Sequence, residues 1–375
     1  MIDPKKCLEV LKENGINFYT GVPDSTLTNF TACLAAQTTT FEHITAANEG
    51  AAIGLAVGSH LASGDVSFVY MQNSGIGNAV NPLLSLADKM VYQIPMILMI
   101  GWRGEPGVKD EPQHTKQGAV TLELLESMRI PFEILSEDEQ TAFKQIEYTV
   151  VQARKNRCPH ALVVRPSLFE KYDPKKAENN YSMSREDALH IITDQLKNDA
   201  LVVATTGKLS RELFEYREAL KQKHNNDFLV VGGMGHASSI ALGVALHEKK
   251  RRVICLDGDG AMLMHTGALS NVGDLAPGNF VHIVMNNGAH ESVGGQPTLG
   301  YQVDFCKVAE GFNYQWIKKV ETSQQLVLAL MEINEVCGPV FLEIRVGVRT
   351  RKELGRPTIL PVEGKNDFMN NLQQK

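Results

Sequence analysis

CLDGDGAMLMHTGALSNVGDLAPGNFVHIVMNNGAH, residues Cys255 to His290, is the stretch on which the fold turns. A buried strand over Arg252–Leu256 runs into Asp257-Gly258-Asp259-Gly260. A helix over Met262–Leu275 follows, then an apolar strand over Val281–Met285 and the tripeptide Asn286-Asn287-Gly288. In such a parallel unit the ends of adjacent strands lie side by side at the carboxyl edge of the sheet, where ligands bind. Asp259 and Asn287 are therefore expected to converge across the 27 residues between them. A carboxylate, an amide oxygen and nearby carbonyls are hard ligands that suit Mg²⁺, an ion that commonly shares phosphate oxygens with its cargo. The glycines flanking Asp259 let the backbone approach a diphosphate closely. A carboxylate beside a diphosphate needs a cation between them. An ordinary turn would also use a DG pair. A calcium loop does not fit: with Asp257 at loop position 1 the twelfth residue is Ala268, with Asp257 at position 3 it is Thr266, and neither is the required Glu. A dinucleotide fingerprint fails as well, because GIGNAV and GMGHAS lack the third glycine.

The same alternation extends in both directions. Strands are expected at Ala200–Thr205, Phe228–Val231 and Val340–Val346, with helices at Ser238–Glu248 and Ser323–Asn334. Earlier, strand-like runs at Asn17–Thr20, Val66–Met71, Pro95–Ile100 and Ala161–Val164 alternate with helices at Glu49–Leu61, Ala79–Ala87 and Gln140–Arg154. Asp3 caps a first helix, Pro4 opens it and Asn14-Gly15 ends it. The polar segment RPSLFEKYDPKKAENNYSMSR interrupts the pattern, and a helix restarts near Ser184 with Asp187 three residues on. The reading is an α/β chain of two similar doubly wound parallel-sheet domains, 1–168 and 186–375, joined by a linker over 169–185. NEGAAIGLAVGSHLASG in the first half echoes GHASSIALGVALHEKK in the second.

The 375 residues have a net charge of -6 and 43% hydrophobic content, a soluble globular composition. No basic patch argues for nucleic acid. No apolar run reaches the ~20 residues of a membrane span. Six cysteines stand scattered without a CxxC pair, and MIDPKKCLEV has no apolar core of a signal peptide. A cytoplasmic protein is expected.

GDG, 25 residues and then NN resembles the diphosphate-magnesium motif of thiamine diphosphate enzymes, and the likeness extends over the whole chain. It implies a pyrimidine-binding domain followed by a diphosphate-binding domain, without the middle domain of larger members. By that resemblance the cofactors are thiamine diphosphate and Mg²⁺. Asp259 and Asn287 are side-chain ligands of the metal, and the carbonyl of Ala289 is the third. Glu49, in NEGAA, matches the activating glutamate that exchanges a proton with the aminopyrimidine; as an isolated residue it would read as an acid in a first helical turn. Met234 in GGMG matches the bulky residue under the bent cofactor, and the Gly232 carbonyl accepts from its amino group. Gly207 offers a backbone N–H to a phosphate, and Gly258, Gly260 and Ala261 complete the cradle. Lys208 and Glu212 are lesser candidates.

GVPDS (Gly21–Ser25), NEGAA (Asn48–Ala52), DEPQHTKQG (Asp110–Gly118) and RTRKELGRPT (Arg349–Thr358) resemble the phosphonopyruvate decarboxylases within the 2-oxo acid decarboxylase family. The sulfopyruvate decarboxylases stand next to them, and an acetolactate synthase-like carboligase is a further alternative. The resemblance implies decarboxylation of a small anionic 2-oxo acid. Asp24 and Ser25 would meet the substrate, and a rim of cations and donors, Arg103, Lys116, Gln117 and Arg349, would take its second anion. Lys109, Arg351 and Arg356 are further basic candidates. GWRGEPGVKDEPQHTKQG reads as one loop, of a length that is usually functional or mobile, and His114 in it is a candidate for the acid that returns a proton after CO₂ leaves. The family's arrangement implies a homo-oligomer, at least a dimer, with active sites between subunits.

Overall fold

Strands buried on both faces build the fold, as parallel sheets covered by helices require. The computed structural model describes residues 1–173, 179–197, 199–351 and 353–373. Contacts divide the chain into two units, Met1–Lys176 with Val293–Gln296, and Ala177–Ser292 with Pro297–Lys375. The first contains β1 (Tyr19–Gly21), β2 (His43–Thr45), β3 (Ser67–Gln72), β4 (Met96–Gly101), β5 (Phe132–Ile134) and β6 (His160–Val164). The second contains β7 (Leu201–Ala204), β8 (Asp227–Leu229), β9 (Val253–Gly258), β10 (Phe280–Asn286), β11 (Trp316–Val320) and β12 (Val340–Arg345). Each unit forms one six-stranded sheet, ordered β2-β1-β3-β4-β6-β5 and β11-β12-β10-β9-β7-β8, with every pairing parallel.

Side chains of successive strand residues go to opposite faces, so each sheet divides its core in two. Phe68, Tyr70, Ile97 and Met99 pack on one face of the first sheet, and Val69, Met71, Leu98 and Ile100 on the other. In the second sheet Ile254, Leu256, Ile283 and Leu342 face one way, and Val253, Cys255, Val284 and Phe341 the other. Burying each such side chain contributes ~1.5–3 kcal/mol. Helices cover both faces, which is the doubly wound architecture read from the sequence, with no middle domain. All six cysteines are free thiols. Among the described residues no helix is long and apolar enough to cross a membrane.

Several local expectations need correction. GWRGEPGVKDEPQHTKQG is not one loop: a helix spans Pro112–Ser127, so His114, Lys116 and Gln117 are helical. Proline at the first helical position has φ already suited to the helix and gives up an N–H that would bond nothing, so Pro112 starts the helix rather than breaking the chain's order. The helix expected over Met262–Leu275 is three pieces, Asp259–Met264, a 3₁₀ turn Thr266–Ala268 and Leu269–Leu275, because His265 leaves helical geometry at φ -137° and ψ 44°. Ala79–Ala87 instead divides at Pro82 into Ile76–Pro82 and a π turn Leu83–Ala87.

Candidate functional site

At the carboxyl edge of the second sheet, register decides which residues meet. Met285 pairs with Gly258, so Asn286 and Asn287 leave β10 beside Asp259 as it leaves β9. Asp259 is the first residue of its helix and is buried. Burial pushes its carboxyl up to about 6, opposed by the hydroxyl of Thr298 and the backbone N–H groups of Gly260 and Asn287. Gly300 closes the other side: a Cβ there would stand 2.5 Å from Asp259 Oδ2 and 2.6 Å from Asn286 Oδ1. Asn286 is fastened inward, donating to the carbonyl of Gly300 (2.6 Å) and to Glu343 (2.8 Å). Asn287 accepts at Oδ1 from the N–H of Ala289 (3.0 Å) and donates from Nδ2 to Glu291 (3.1 Å).

Neighbouring strand ends carry the other expected cradle residues. Gly207 caps the helix Lys208–Ala219 in the loop after β7, at φ 108°. Gly232 follows β8 and donates its N–H to the Thr206 hydroxyl (3.1 Å), tying those two loops together. Half-buried Met234 stands next in the same turn. Gly207, Gly232, Met234, Gly258, Asp259, Gly260, Ala261, Asn287 and Ala289 thus all lie where β7, β8, β9 and β10 end. Arg349 is exposed in the tail after β12.

The first unit has its own cluster of polar side chains. Glu49 begins the helix Glu49–Ser63 after β2; Asn48 caps that helix by accepting from the Ala51 N–H at 2.8 Å. The Glu49 side chain is buried, and burial raises its carboxyl above the usual range against the pull of a 2.7 Å bond from Asn78. Gly75 leaves it room: a Cβ there would collide with Glu49 Oε1. Asp24, after β1, accepts at Oδ2 from the N–H groups of Thr26 (2.9 Å) and Leu27 (3.2 Å), while its buried Oδ1 has no hydrogen-bond partner among the described residues. Arg103, after β4, donates to Ser25 at 2.6 Å and forks onto Asp110 at 2.8 and 2.5 Å. His114 Nδ1 lies 3.0 Å from the same carboxylate.

Asp110 is thus the hub of that cluster. Burial works to raise its carboxyl, but Arg103 and His114 hold it well below the ordinary range. An ionised carboxylate only accepts, so Nδ1 of His114 carries the proton and Nε2 is left for a ligand. Burial pushes His114 below the usual histidine range. Ser25, Arg103 and His114 come together here, whereas Lys116 and Gln117 are exposed on their helix. Asn78, Thr298 and Glu291 do not stand out in the sequence, and Asp110 opens the DEPQHTKQG motif without being picked out as a site residue. Asp110 gives one signal, its spacing of four from His114; Thr298 gives none, 39 residues beyond Asp259.

A chain with two matched parallel-sheet units and a GDG…NN strand-end pair is of the thiamine diphosphate enzyme class, and family comparison agrees. Residues 6–124 match the thiamine pyrophosphate enzyme N-terminal TPP binding domain, and residues 205–344 match the C-terminal TPP binding domain. The chain is 34% identical to a phosphonopyruvate decarboxylase of Streptomyces viridochromogenes, over 93% of this chain and 89% of that one. It is 32% identical to a phosphonopyruvate decarboxylase of Streptomyces hygroscopicus over 97% and 92%. A sulfopyruvate decarboxylase of Methanosarcina acetivorans is 27% identical over 92% and 91%. The chain belongs to the phosphonopyruvate decarboxylase family of thiamine diphosphate-dependent decarboxylases.

Proposed function

We propose that the chain converts 3-phosphonopyruvate to phosphonoacetaldehyde and CO₂, a step in phosphonate biosynthesis, using thiamine diphosphate held through Mg²⁺. The observation that carries the substrate is the 34% identity, over nearly all of both chains, to a protein named for it. Arg103 supports it. Three of its N–H groups are taken by Ser25 and Asp110, and of the five a guanidinium owns the rest are available to a phosphonate oxygen, on a fork already held in place.

The residues fit the cofactor and its metal. Asp259 is a buried carboxylate held by hydroxyl and backbone donors, a group that a divalent cation would relieve of its desolvation. With the Asn287 amide oxygen and the Ala289 carbonyl it forms an all-oxygen set suited to Mg²⁺. Gly207, Gly258, Gly260 and Ala261 would pass backbone groups to the diphosphate, Gly232 would accept from the amino group and Met234 would support the bend. Bound thiamine diphosphate supplies the electron sink that makes loss of CO₂ from a 2-oxo acid feasible. Glu49 holds a proton on its buried carboxyl for the aminopyrimidine, and Asn78 limits which oxygen is free to do so. His114 Nε2, which carries no proton in the neutral ring, would take one up from solvent and return it after CO₂ leaves, with Asp110 setting the ring's orientation and supporting the cation that forms meanwhile. Asp24, Ser25, Lys116, Gln117 and Arg349 complete the proposed substrate contacts.

With this function go domains at 1–168 and 186–375 joined by 169–185, of which residues 174–178 lie outside the described residues, a cytoplasmic location, and a homo-oligomer of at least two chains with active sites between subunits. The test is incubation with phosphonopyruvate, Mg²⁺ and thiamine diphosphate, with aldehyde detection, alongside sulfopyruvate. A larger kcat/KM on phosphonopyruvate is expected; turnover of sulfopyruvate alone would transfer the assignment to the relatives of that name.

A further inference from the structure

Glu291 stands four residues beyond Asn287 with both carboxylate oxygens engaged. Oε2 accepts from Arg185 Nη1 at 2.5 Å and from Asn287 Nδ2 at 3.1 Å. Oε1 accepts from the Thr350 hydroxyl and lies 3.7 Å from Lys208 Nζ. Arg185 is buried at the start of the helix Arg185–Gln195 and forks onto Glu212 with two bonds of 2.7 Å. Its Nη2 and Lys208 both also donate to Thr350, each at 3.2 Å. Two helices, the loop after β10 and the tail after β12 therefore meet around one carboxylate.

We infer that Glu291, held by Arg185, is a positioning residue that fixes which way the Asn287 amide faces, and so sets the protein's affinity for the cofactor's divalent cation. The inference rests on the metal reading above. An amide has one accepting and one donating end. Here the donating end meets a carboxylate and the accepting end meets the Ala289 N–H. Turning the amide over would set oxygen against carboxylate and NH₂ against N–H, so both contacts would become repulsive. One lone pair of Oδ1 is left for a cation. Glu291 is not itself a ligand in this arrangement, because its oxygens are committed to Arg185, Asn287, Thr350 and Lys208. Partners of this kind behind a metal ligand tune affinity without touching the ion.

The experiment is calorimetric uptake of thiamine diphosphate at graded Mg²⁺, with the melting temperature of the metal-free protein measured in parallel. Glu291→Ala is expected to raise the half-saturating Mg²⁺ concentration about tenfold or more. Thr350→Val, which removes one hydroxyl donor and no charge, should raise it by a smaller factor than Glu291→Ala and serves if Glu291→Ala does not fold. In an Asn287→Ala background the Glu291 change should add nothing, since its route is gone. A lower melting temperature with an unmoved Mg²⁺ midpoint in both variants overturns the inference, because a purely structural ion pair behaves that way. Asp259→Ala separates the two readings. If it abolishes metal dependence while Glu291→Ala and Thr350→Val match the parent, only the positioning role fails. If it retains the parent's dependence, the metal reading itself fails.

Discussion

Read from opposite ends, the two sheets have one strand order, second, first, third, fourth, sixth, fifth, so positions can be compared between them. Gln72 pairs with Gly101 in the first sheet as Gly258 pairs with Met285 in the second. Asn73 is then the counterpart of Asp259, and Arg103 of Asn287. The parallel extends to one hydrogen bond: Asn73 Oδ1 accepts from the Arg103 N–H at 3.2 Å, and Asp259 accepts from the Asn287 N–H. The difference is a single functional group. The Asn73 NH₂ goes on to donate to the Arg103 carbonyl (2.8 Å) and the Thr121 hydroxyl (2.9 Å), so the amide closes the first pair of strand ends. A carboxylate has nothing to donate, and the second pair is left electron-rich and able to take a cation. Fold supplies the approach of the loops; on the proposed reading, an amide or an acid decides whether the place is shut or open to a cation.

The largest effect should come from the acid with no such counterpart. Glu49 opens the helix after the second strand of the first sheet, while Ala237 opens the corresponding helix, Ala237–His247, in the second. Glu49→Gln keeps the shape and removes the exchangeable proton. Turnover should fall about a thousandfold, the middle of the range for proton transfer by a placed side chain, with cofactor affinity held within about tenfold. A fully active variant would remove Glu49 from the mechanism. The next effect converts one strand end into the other: Asp259→Asn recreates the Asn73 chemistry. It should keep the bond from the Asn287 N–H and the fold, yet weaken Mg²⁺-dependent cofactor uptake about a hundredfold. Uptake as tight as the parent's would mean that the acid is not what distinguishes the two places.

The echo between NEGAAIGLAVGSHLASG and GHASSIALGVALHEKK falls on these corresponding helices, so the sequence carries a trace of the matched topology. The central strands are legible because they are long and buried on both faces, as in Ser67–Gln72 and Phe280–Asn286. The edge strands His43–Thr45 and Phe132–Ile134 are not: each has three residues, all half-buried, and such runs carry neither alternation nor a continuous apolar stretch. In the candidate site, the meeting of Asp259 and Asn287 is legible because strand ends locate them. Glu49 is legible through resemblance alone, since its burial depends on Asn78 and Gly75, which only folding brings to it. Thr298, Glu291 and Asp110 act through contacts made by loops, for which local sequence holds no period.

A smaller effect tests the closed side. Asn73→Ala leaves the N–H and carbonyl of Arg103 without their side-chain partner in a buried place. The cost should be about 2–3 kcal/mol of unfolding free energy, measured by urea denaturation, while the Mg²⁺ midpoint stays where it was. If that midpoint moved as far as in Asp259→Asn, the two strand ends would share a role that the comparison denies.

The smallest effect concerns the first strands. Gly21 pairs with Tyr70 two residues before Gln72, and Ala204 pairs with Leu256 two residues before Gly258, which makes Asp24 the counterpart of Gly207. The first sheet thus sets a carboxylate where the second sets a glycine proposed to receive a phosphate. Burial pushes the Asp24 carboxyl up to about 6, from 3.8, against the pull of Thr26, Arg103 and Leu27. A carboxyl raised in this way binds its proton more tightly folded than unfolded. Ionising it therefore removes stability as pH rises from about 4, and the loss is complete above about 6. An asparagine side chain cannot ionise, so Asp24→Asn should be the more stable protein at pH 7.5 by about 1–2 kcal/mol, with the gap closing toward pH 4. The proposed substrate contact would be weakened in the same variant, a trade of stability against function. Denaturation curves at the two pH values decide it: a gap that widened toward pH 4 would mean that Asp24 is stabilised as the anion, and the contrast between a strand end that resists negative charge and one that welcomes it would be lost.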